Sequence, residues 1–291
     1  MSDQKTRLRI VLGDFPHTKA LKNGDIKSGR VELAFEHYSP TYSAFKPMVR
    51  ELKFDVSEMA IVTYIIAKAH NRPLVLLPAV MMGRFQQSFA IYNSERGKIG
   101  PSDLEGRRVG IRSFTTTTGA WVRGILANDY GVDLNKVHWV TFEDPHVAEY
   151  MDTTERAPIG KAIIGMLLAG ELDAVIGDKS DDARVKSLFG DPEAEAKAWH
   201  GKHGVVPVNH LVVVTEALAK SNPAAVTEVY RMLKDSKKAV PAAAGFDFHP
   251  FGVEAIRAPL ALIIDYCAQQ KLIPRRFTVD ELFDETTLRM N

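Results

Sequence analysis

Short apolar runs alternate with helical patterns along most of this chain, and this alternation limits the folds available to it. The apolar runs have the length and composition of buried strands and fall at residues 8–12, 54–59, 74–77, 109–111, 137–140, 172–176 and 211–214. Strands separated by helices form βαβ units, whose strands pair in parallel and whose ligands lie at the carboxyl ends of the strands. The pattern therefore predicts an α/β fold with mostly parallel sheets flanked by helices.

The chain is long enough for two lobes. Its 291 residues exceed one domain of ordinary size and fall short of three. Turn-forming residues at 97–106 precede a strand and mark the start of a second lobe, and the strand at 211–214 returns to the first. We predict a discontinuous first lobe, residues 1–92 and 209–291, and a second lobe, residues 93–208. A hinge shared by both lobes would let them close over a ligand in the cleft between them.

Charge and composition indicate a small ligand. The 37 Lys and Arg residues nearly balance 36 Asp and Glu residues, without a block of like charges, so neither nucleic acid nor a membrane surface is an expected partner. Assembly into a homo-oligomer stays open. Residues 1–7 lead into the first strand without an apolar leader, and no apolar run approaches the ~20 residues of a membrane span. We therefore expect a cytoplasmic protein, unless a leader precedes the given sequence.

The sequence contains no signature of a cofactor site. Cys267 is the only cysteine, and its apolar neighbours indicate a buried helix face rather than a reactive thiol. The nine histidines are scattered without a compact metal-binding spacing, and there is no Walker motif or glycine-rich dinucleotide turn. We expect neither metal nor organic cofactor. The alternative is a metal site assembled from distant residues, for example His210 with Glu58.

Seven stretches carry a resemblance to a known family: FDVSEM at residues 54–59, RRVGI at 107–111, Thr117 with WVRGIL at 121–126, DYGV at 129–132, GVVPVNH at 204–210, HPFGVE at 249–254 and FTVDELF at 277–283. In this order and spacing, they resemble the type II periplasmic-binding-protein fold and, within it, the 4,5-dihydroxyphthalate decarboxylase family. The resemblance spans nearly the whole chain.

This resemblance implies a two-lobed type II periplasmic-binding-protein-like fold and a lyase of aromatic compound degradation. The implied activity is cofactor-independent decarboxylation of a hydroxylated aromatic carboxylic acid. The same fold also holds solute receptors, because a fold does not determine chemistry. The alternative is therefore a non-catalytic solute-binding protein or sensor for a small carboxylate, which an export signal upstream of the sequence would favour.

Decarboxylation needs groups that hold the carboxylate, and four consecutive threonines match that need. Thr115, Thr116, Thr117 and Thr118 follow the strand at 109–111 and open a helix, so hydroxyls and free backbone N–H groups converge at its positive end. We predict a carboxylate cradle here. The alternative is that one threonine caps the helix and the others are loop residues.

Decarboxylation also needs a proton donor, and two residues are candidates. Glu58, with Ser57 beside it as a substrate contact, lies at the carboxyl end of the strand at 54–59, and its alternative role is an ordinary salt bridge or helix cap. His210 stands just before the returning strand, where an imidazole can donate or accept a proton near neutral pH. Its alternative role is structural.

Three further residues are predicted to bind the substrate. Arg84 follows the strand at 74–77 and could donate two hydrogen bonds to a carboxylate, or form a hinge salt bridge instead. Asp178 and Asp14 follow strands and could accept substrate hydroxyls. We expect Trp121 to pack in the interior and Arg123 to lie on a helix surface, although the Trp121 ring could stack on an aromatic substrate.

Two sites depart from the family pattern. Pro16 and His17 stand where the family has an Asp-Arg pair, and Gln86 and Gln87 stand where it has Arg-His. Each change removes an arginine, which indicates a substrate with less negative charge than 4,5-dihydroxyphthalate. The alternative is that the missing charge comes from another residue: Lys19, His17 or Arg112.

Overall fold

A computed structural model describes residues 5–241 and 245–291, and within it the chain divides into two units. The first unit comprises Met1–Arg84, Val208–Ile264 and Ile273–Asn291, and the second comprises Phe85–Pro207 and Asp265–Leu272. Residues 1–4, on which part of the expectation about a leader rests, lie outside the described residues. None of the described helices is both long and apolar enough to cross a membrane.

The first unit is built on a five-stranded mixed sheet with the strand order β2-β1-β3-β11-β4. Strand β1 pairs in parallel with β2 and β3, whereas β11 runs antiparallel to both β3 and β4. Its elements are β1 (Thr6–Val11), α1 (Pro16–Lys22), β2 (Val31–Phe35), α2 (Phe45–Glu51), β3 (Val56–Ala60), α3 (Ile61–Ala69), β4 (Leu74–Gly83), β11 (Val208–Thr215), α7 (Glu216–Ser221) and α8 (Pro223–Lys238).

The two central strands of this sheet are buried almost throughout. All five residues of β3 are buried, and seven of the eight residues of β11 are buried. Apolar side chains of β1, β3, β4 and β11 pack with α8, whose Val226, Val229 and Leu233 face the sheet. Such burial on both faces explains why the run at 211–214 in β11 is continuously apolar rather than alternating. A charged residue in β3 is therefore an exception that needs a partner.

The second unit contains a six-stranded mixed sheet with the strand order β10-β5-β9-β6-β7-β8. Strands β9, β6, β7 and β8 are parallel, and β5 runs antiparallel to β9 and β10. The elements are β5 (Ala90–Asn93), β6 (Arg108–Ile111), α4 (Thr117–Asp129), β7 (His138–Thr141), β8 (Glu155–Arg156), α5 (Ile163–Ala169), β9 (Ala174–Ile176), β10 (Val185–Ser187) and α6 (Pro192–His203). The last helix, α9 (Val253–Gln269), contributes residues to both units.

All seven strands predicted from the sequence are present, but the sheets are mixed rather than mostly parallel throughout. The difference arises from β11 and β5, which enter each sheet antiparallel to a neighbour. Strands β2, β5, β8 and β10 were not predicted. Strands β8 and β10 have two and three residues and no buried position, so they leave no apolar run in the sequence.

Candidate active site

Glu58 and His210 form a hydrogen-bonded pair in the first unit. Nδ1 of His210 lies 2.7 Å from Oε1 of Glu58. The Glu58 side chain is 1% exposed and that of His210 is 17% exposed. The backbone N–H of Gly13 donates to the other carboxylate oxygen, Oε2, at 2.8 Å. Both oxygens of this buried carboxylate are thus engaged, and the imidazole is the member of the pair that reaches the surface.

Strand register explains why these two residues meet. In the antiparallel pairing of β3 with β11, Val212 stands opposite Glu58 and His210 stands opposite Ala60. Residues two apart on a strand share a face, so Glu58 and His210 are diagonal neighbours on the same face of the sheet. They are 152 residues apart in the chain, and only the fold brings them together.

The pair has the arrangement of a proton-transferring imidazole held by a carboxylate. With Glu58 as acceptor, Nδ1 of His210 carries the proton and Nε2 presents its lone pair. Nε2 makes no hydrogen bond to the described part of the chain. The edge of Phe45 lies against the imidazole, with ring centroids 5.1 Å apart. Glu58 therefore orients His210, and Nε2 of His210 is the atom able to exchange a proton with a ligand.

His17, named from the sequence as one possible source of the missing positive charge, is a buried histidine of the first unit. His17 stacks on Phe15 at a centroid distance of 5.2 Å and lies 4.2 Å from the ring of His249. Burial, together with the nearby His249 and Lys237, lowers the pKa of His17 to about 4. His17 is therefore neutral near pH 7 and does not supply the missing positive charge considered from the sequence.

The other predicted residues of the first unit lie in differing surroundings. Ser57 is fully buried, and its hydroxyl donates to the carbonyl of Glu58 at 2.8 Å. Asp14 is exposed and forms an ion pair with Lys22, which lowers the pKa of the Asp14 carboxyl. Arg84 follows β4 directly, and burial lowers its pKa to about 10. Strands β1, β3 and β4 run in the same direction, and β11 runs opposite to them. Asp14 and Arg84, which follow β1 and β4, therefore lie at the sheet edge that also holds His210, near the start of β11.

In the second unit, the four threonines form the entry to α4. Thr116 is the N-cap residue, but its hydroxyl accepts no hydrogen bond from the helix and is buried without a partner among the described residues. Thr115, Thr117 and Thr118 are buried, and the hydroxyl of Thr115 lies 3.2 Å from that of Ser113. The helix thus begins without the side-chain cap that the alternative reading of these residues requires.

Asp178 lies at the same edge of the second sheet as this turn. Strands β6 and β9 are parallel neighbours with Ile111 opposite Ile176, so their carboxyl ends meet. Gly177, next to Asp178, lies close to Thr118. A Cβ built on Gly177 would be 3.9 Å from the methyl carbon Cγ2 of Thr118. The carboxylate of Asp178 accepts a hydrogen bond from the N–H of Lys179 at 2.9 Å.

Arg123 is not on the helix surface, and the expectation that it lies there is wrong. It is fully buried in α4, together with Trp121, for which the packing role is correct. Its guanidinium stacks 3.8 Å from the centroid of Phe114 and donates to the Phe114 carbonyl at 2.6 Å. Helical spacing did not reveal the burial of Arg123. The buried face of a helix is identified from its apolar residues, and an arginine is not counted among them.

Comparison with known proteins confirms the family resemblance found in the sequence. A 4,5-dihydroxyphthalate decarboxylase of Comamonas testosteroni is 28% identical over 235 residues, covering 75% of this chain and 71% of the relative. A protein of the same name from Pseudomonas putida is 27% identical over 212 residues, covering 67% of this chain and 82% of the relative. No family model matches the chain.

Solved structures confirm the fold. The alkanesulfonate-binding protein SsuA from Xanthomonas axonopodis pv. citri has a TM-score of 0.59 at 14% identity, covering 97% of this chain and 99% of its own. The periplasmic aliphatic sulphonate binding protein SsuA from Escherichia coli has a TM-score of 0.61 at 12% identity, covering 96% and 98%. The desulfurization enzyme DSZB has a TM-score of 0.55 at 13% identity, covering 97% and 98%. This chain therefore has the type II periplasmic-binding-protein-like fold, which also occurs in an enzyme.

Proposed function

We propose that this chain is a cofactor-independent decarboxylase of a hydroxylated aromatic carboxylic acid. The observation that carries the proposal is the Glu58–His210 pair, a buried carboxylate holding an accessible imidazole at 2.7 Å. A protein that only binds its ligand has no need of a buried acid–imidazole pair, whose burial costs free energy. The similarity to two proteins named 4,5-dihydroxyphthalate decarboxylase supports the reaction class.

His210 would supply the proton that replaces the carboxylate. In its protonated form the imidazole transfers the Nε2 proton to the ring carbon that bears the carboxylate, helped by electron donation from a ring hydroxyl. The bond to the carboxyl carbon then breaks, its electrons restore the aromatic ring, and CO2 leaves. His210 is neutral after this step and regains a proton from solvent. Glu58 holds the imidazole by its Nδ1 throughout.

Each unit has its own proposed carboxylate-binding group: Arg84 in the first unit and the threonine turn in the second. Arg84 remains charged near neutral pH despite its burial, because its pKa stays at about 10. The turn of Thr115, Thr116, Thr117 and Thr118 opens a helix of 13 residues whose N-terminus lacks a side-chain cap. Helix N-termini favour anions because their free N–H groups and the helix dipole both point toward them. Asp14 and Asp178 remain the proposed acceptors for substrate hydroxyls.

Release of CO2 from a panel of acids tests the proposal. The panel contains 4,5-dihydroxyphthalate, other hydroxyphthalates and hydroxybenzoates, each incubated with purified protein while CO2 and the decarboxylated product are quantified. We expect turnover of at least one hydroxylated acid and none of the matched acids lacking the hydroxyl. Tight binding of these acids without any CO2 would instead establish the alternative, a solute-binding protein or sensor.

A cytoplasmic location and a role in aromatic compound degradation are part of the same proposal. Support comes from the similarity to the two decarboxylases. Fractionation of cells that express the full-length gene tests the location, because recovery of the protein with periplasmic markers would contradict it.

A further inference from the structure

The threonine turn of the second unit contains a charge that the sequence did not place there. Arg123 is fully buried beneath the turn, three residues after Ala120 in α4. Its Nε donates to Oε1 of Gln270 at 2.9 Å, and its Nη2 donates to the carbonyl of Phe114 at 2.6 Å. Both acceptors are neutral. Within residues 5–241 and 245–291, no carboxylate forms an ion pair with this guanidinium, although Asp152 is near enough to act on its pKa.

A buried cation without an ion-pair partner is costly and calls for an explanation. Buried charges in proteins are normally paired, because the low dielectric of the interior penalises an isolated charge. Burial does lower the pKa of Arg123, to about 10, yet the group stays protonated near neutral pH. Its third nitrogen, Nη1, is buried and has no hydrogen-bond partner among the described residues. The site thus holds a full positive charge and an unused donor.

The unused groups of Arg123 and of the turn lie together. A Cβ at Gly119 would lie 2.8 Å from Oγ1 of Thr116 and 3.0 Å from Nη1 of Arg123, so both atoms flank the same point of α4. Both are buried and unpartnered within the described chain. The side chain of Ile111 packs at the same point, with Cδ1 2.2 Å from that Cβ position, so only glycine fits at residue 119.

Two backbone donors add to this group. The N–H groups of Thr115 and Gly119 make no hydrogen bond to the described part of the chain. In a trans peptide the carbonyl and the following N–H point in opposite directions, so binding of the Phe114 carbonyl by Arg123 directs the Thr115 N–H away from the guanidinium. The turn therefore offers backbone and side-chain donors beside a positive charge that no carboxylate pairs with, which is the chemistry of an anion site.

We propose that Arg123 determines specificity at this turn, its buried charge making the turn bind a carboxylate in preference to a neutral group of the same shape. The residue acts through the turn and orients it by holding the Phe114 carbonyl. The inference rests on the proposed function only in taking an aromatic carboxylate as the ligand.

Binding of a charged and a neutral ligand of equal shape tests the role of Arg123. Calorimetric titration with 3,4-dihydroxybenzoate and 3,4-dihydroxybenzamide gives the dissociation constant of each. We expect wild-type protein to prefer the carboxylate by about tenfold or more, as for a charge-assisted hydrogen bond. In Arg123→Met, carboxylate affinity should fall by about tenfold while amide affinity stays within about twofold.

Two further variants separate charge from structure. Gln270→Leu removes the bond to Nε but keeps the charge, and it should retain the carboxylate preference. Arg123→Lys also keeps the charge without the stacking on Phe114, and both affinities should stay near those of wild type. This variant decides the question if Arg123→Met does not fold, because a purely structural role predicts that Arg123→Lys weakens both ligands together.

The outcomes distinguish this inference from the proposed function. Three results would each overturn the role of Arg123. The first is an equal loss of affinity for both ligands in Arg123→Met, the second is an unchanged preference for the carboxylate in that variant, and the third is no such preference in wild-type protein. A chain that binds carboxylates selectively through Arg123 but releases no CO2 would refute the decarboxylase proposal and leave this inference standing.

Discussion

His210 and Glu58 should each be needed for turnover. His210→Asn removes the proposed proton donor, and Glu58→Gln replaces the carboxylate that holds the imidazole by its Nδ1. We expect each substitution to lower kcat by about 10²–10⁴-fold, the range for loss of general acid–base catalysis. Steady-state kinetics with the best acid of the panel, together with calorimetric binding, measures both effects. Dissociation constants should change much less than kcat.

A matched surface variant controls for this comparison. Glu32 lies on β2 in the same sheet as Glu58, is exposed, and forms an ion pair with Arg7 at 3.7 Å. Glu32→Gln should leave kcat and binding as in wild type. Equal loss of binding and turnover in the Glu58 and His210 variants would identify the pair as ligand holders rather than catalytic groups.

His17 should make the stability of the protein depend on pH. Its folded pKa of about 4 lies below its ordinary value of 6.5, so the folded state resists protonation more than the unfolded state does. Stability is therefore complete above pH 6.5 and falls as the pH is lowered toward 4. We expect His17→Phe, which keeps a ring against Phe15, to remove about 2 kcal/mol of this pH-dependent loss.

Urea unfolding at pH 7, 5.5 and 4 measures the effect of His17. The difference between pH values is the relevant quantity, because loss of the hydrogen bond to the Met81 backbone shifts stability equally at every pH. Burial also lowers the pKa of His249, so some dependence should remain in the variant. The exposed His138 serves as a control in His138→Phe. An unchanged pH dependence in His17→Phe would show that another group causes it.

At the residue scale, the sequence identified candidate catalytic residues where a side chain able to transfer a proton lies in or beside a predicted strand. Glu58 and His210 were selected separately, each from its place beside a strand, and the antiparallel pairing of β3 with β11 joins them. That pairing could not be predicted, because register depends on contacts between residues far apart in the chain. The Gly13 N–H and the Arg123 charge were missed for a related reason: a glycine after a strand and a basic residue in a helix have many ordinary explanations.

At the element scale, α4 packs against α9 through a glycine. A Cβ at Gly124 would lie only 2.0 Å from Cδ2 of the buried Tyr266 ring. Alanine usually stabilises a helix relative to glycine, but here it would force the ring to move. We therefore expect Gly124→Ala to destabilise the protein by about 1–3 kcal/mol, as overpacking does. Urea unfolding at neutral pH measures the change.

Gly165 in α5 provides the matched control for Gly124. The nearest atom to its Cβ position is Cβ of Ala162 at 3.8 Å, an ordinary contact. Gly165→Ala should therefore stabilise the protein by about 0.5–1 kcal/mol through helix propensity alone. If both alanines changed stability by the same amount, close packing of α4 on α9 would not be the reason for Gly124.

Burial alone did not decide which strands were predicted. The run at 211–214 in β11 was visible because both faces of that strand are covered, whereas β5 has four buried residues and was missed, as was β8 with two exposed residues. The entry to α4 was predicted from its threonines, but the absence of a hydroxyl cap was not. A cap is a matter of side-chain rotamers, which composition and spacing do not determine.

At the scale of the whole molecule, the α/β class followed from the alternation of strands and helices, and the fold type followed from the family resemblance. Alternation alone overstated the parallel pairing, since antiparallel β11 and β5 give the same apolar runs as parallel strands would. The assignment of Asp265–Leu272 to the second unit had no signal in the sequence either. A continuous helical pattern does not show where a helix changes its neighbours.

Ligand-induced stabilisation of the whole chain separates binding from chemistry. A ligand that binds only the native state at 100 times its dissociation constant stabilises it by about 2.7 kcal/mol. We expect a hydroxylated aromatic acid such as 4,5-dihydroxyphthalate to raise Tm in wild type and in Glu58→Gln alike, because the glutamine variant keeps the groups proposed to hold the carboxylate. An alkanesulfonate, matched in concentration, should raise Tm much less. Thermal unfolding monitored by circular dichroism gives the change in Tm for each of the two ligands with each of the two proteins. Stabilisation by the sulfonate alone would indicate solute binding instead of decarboxylation.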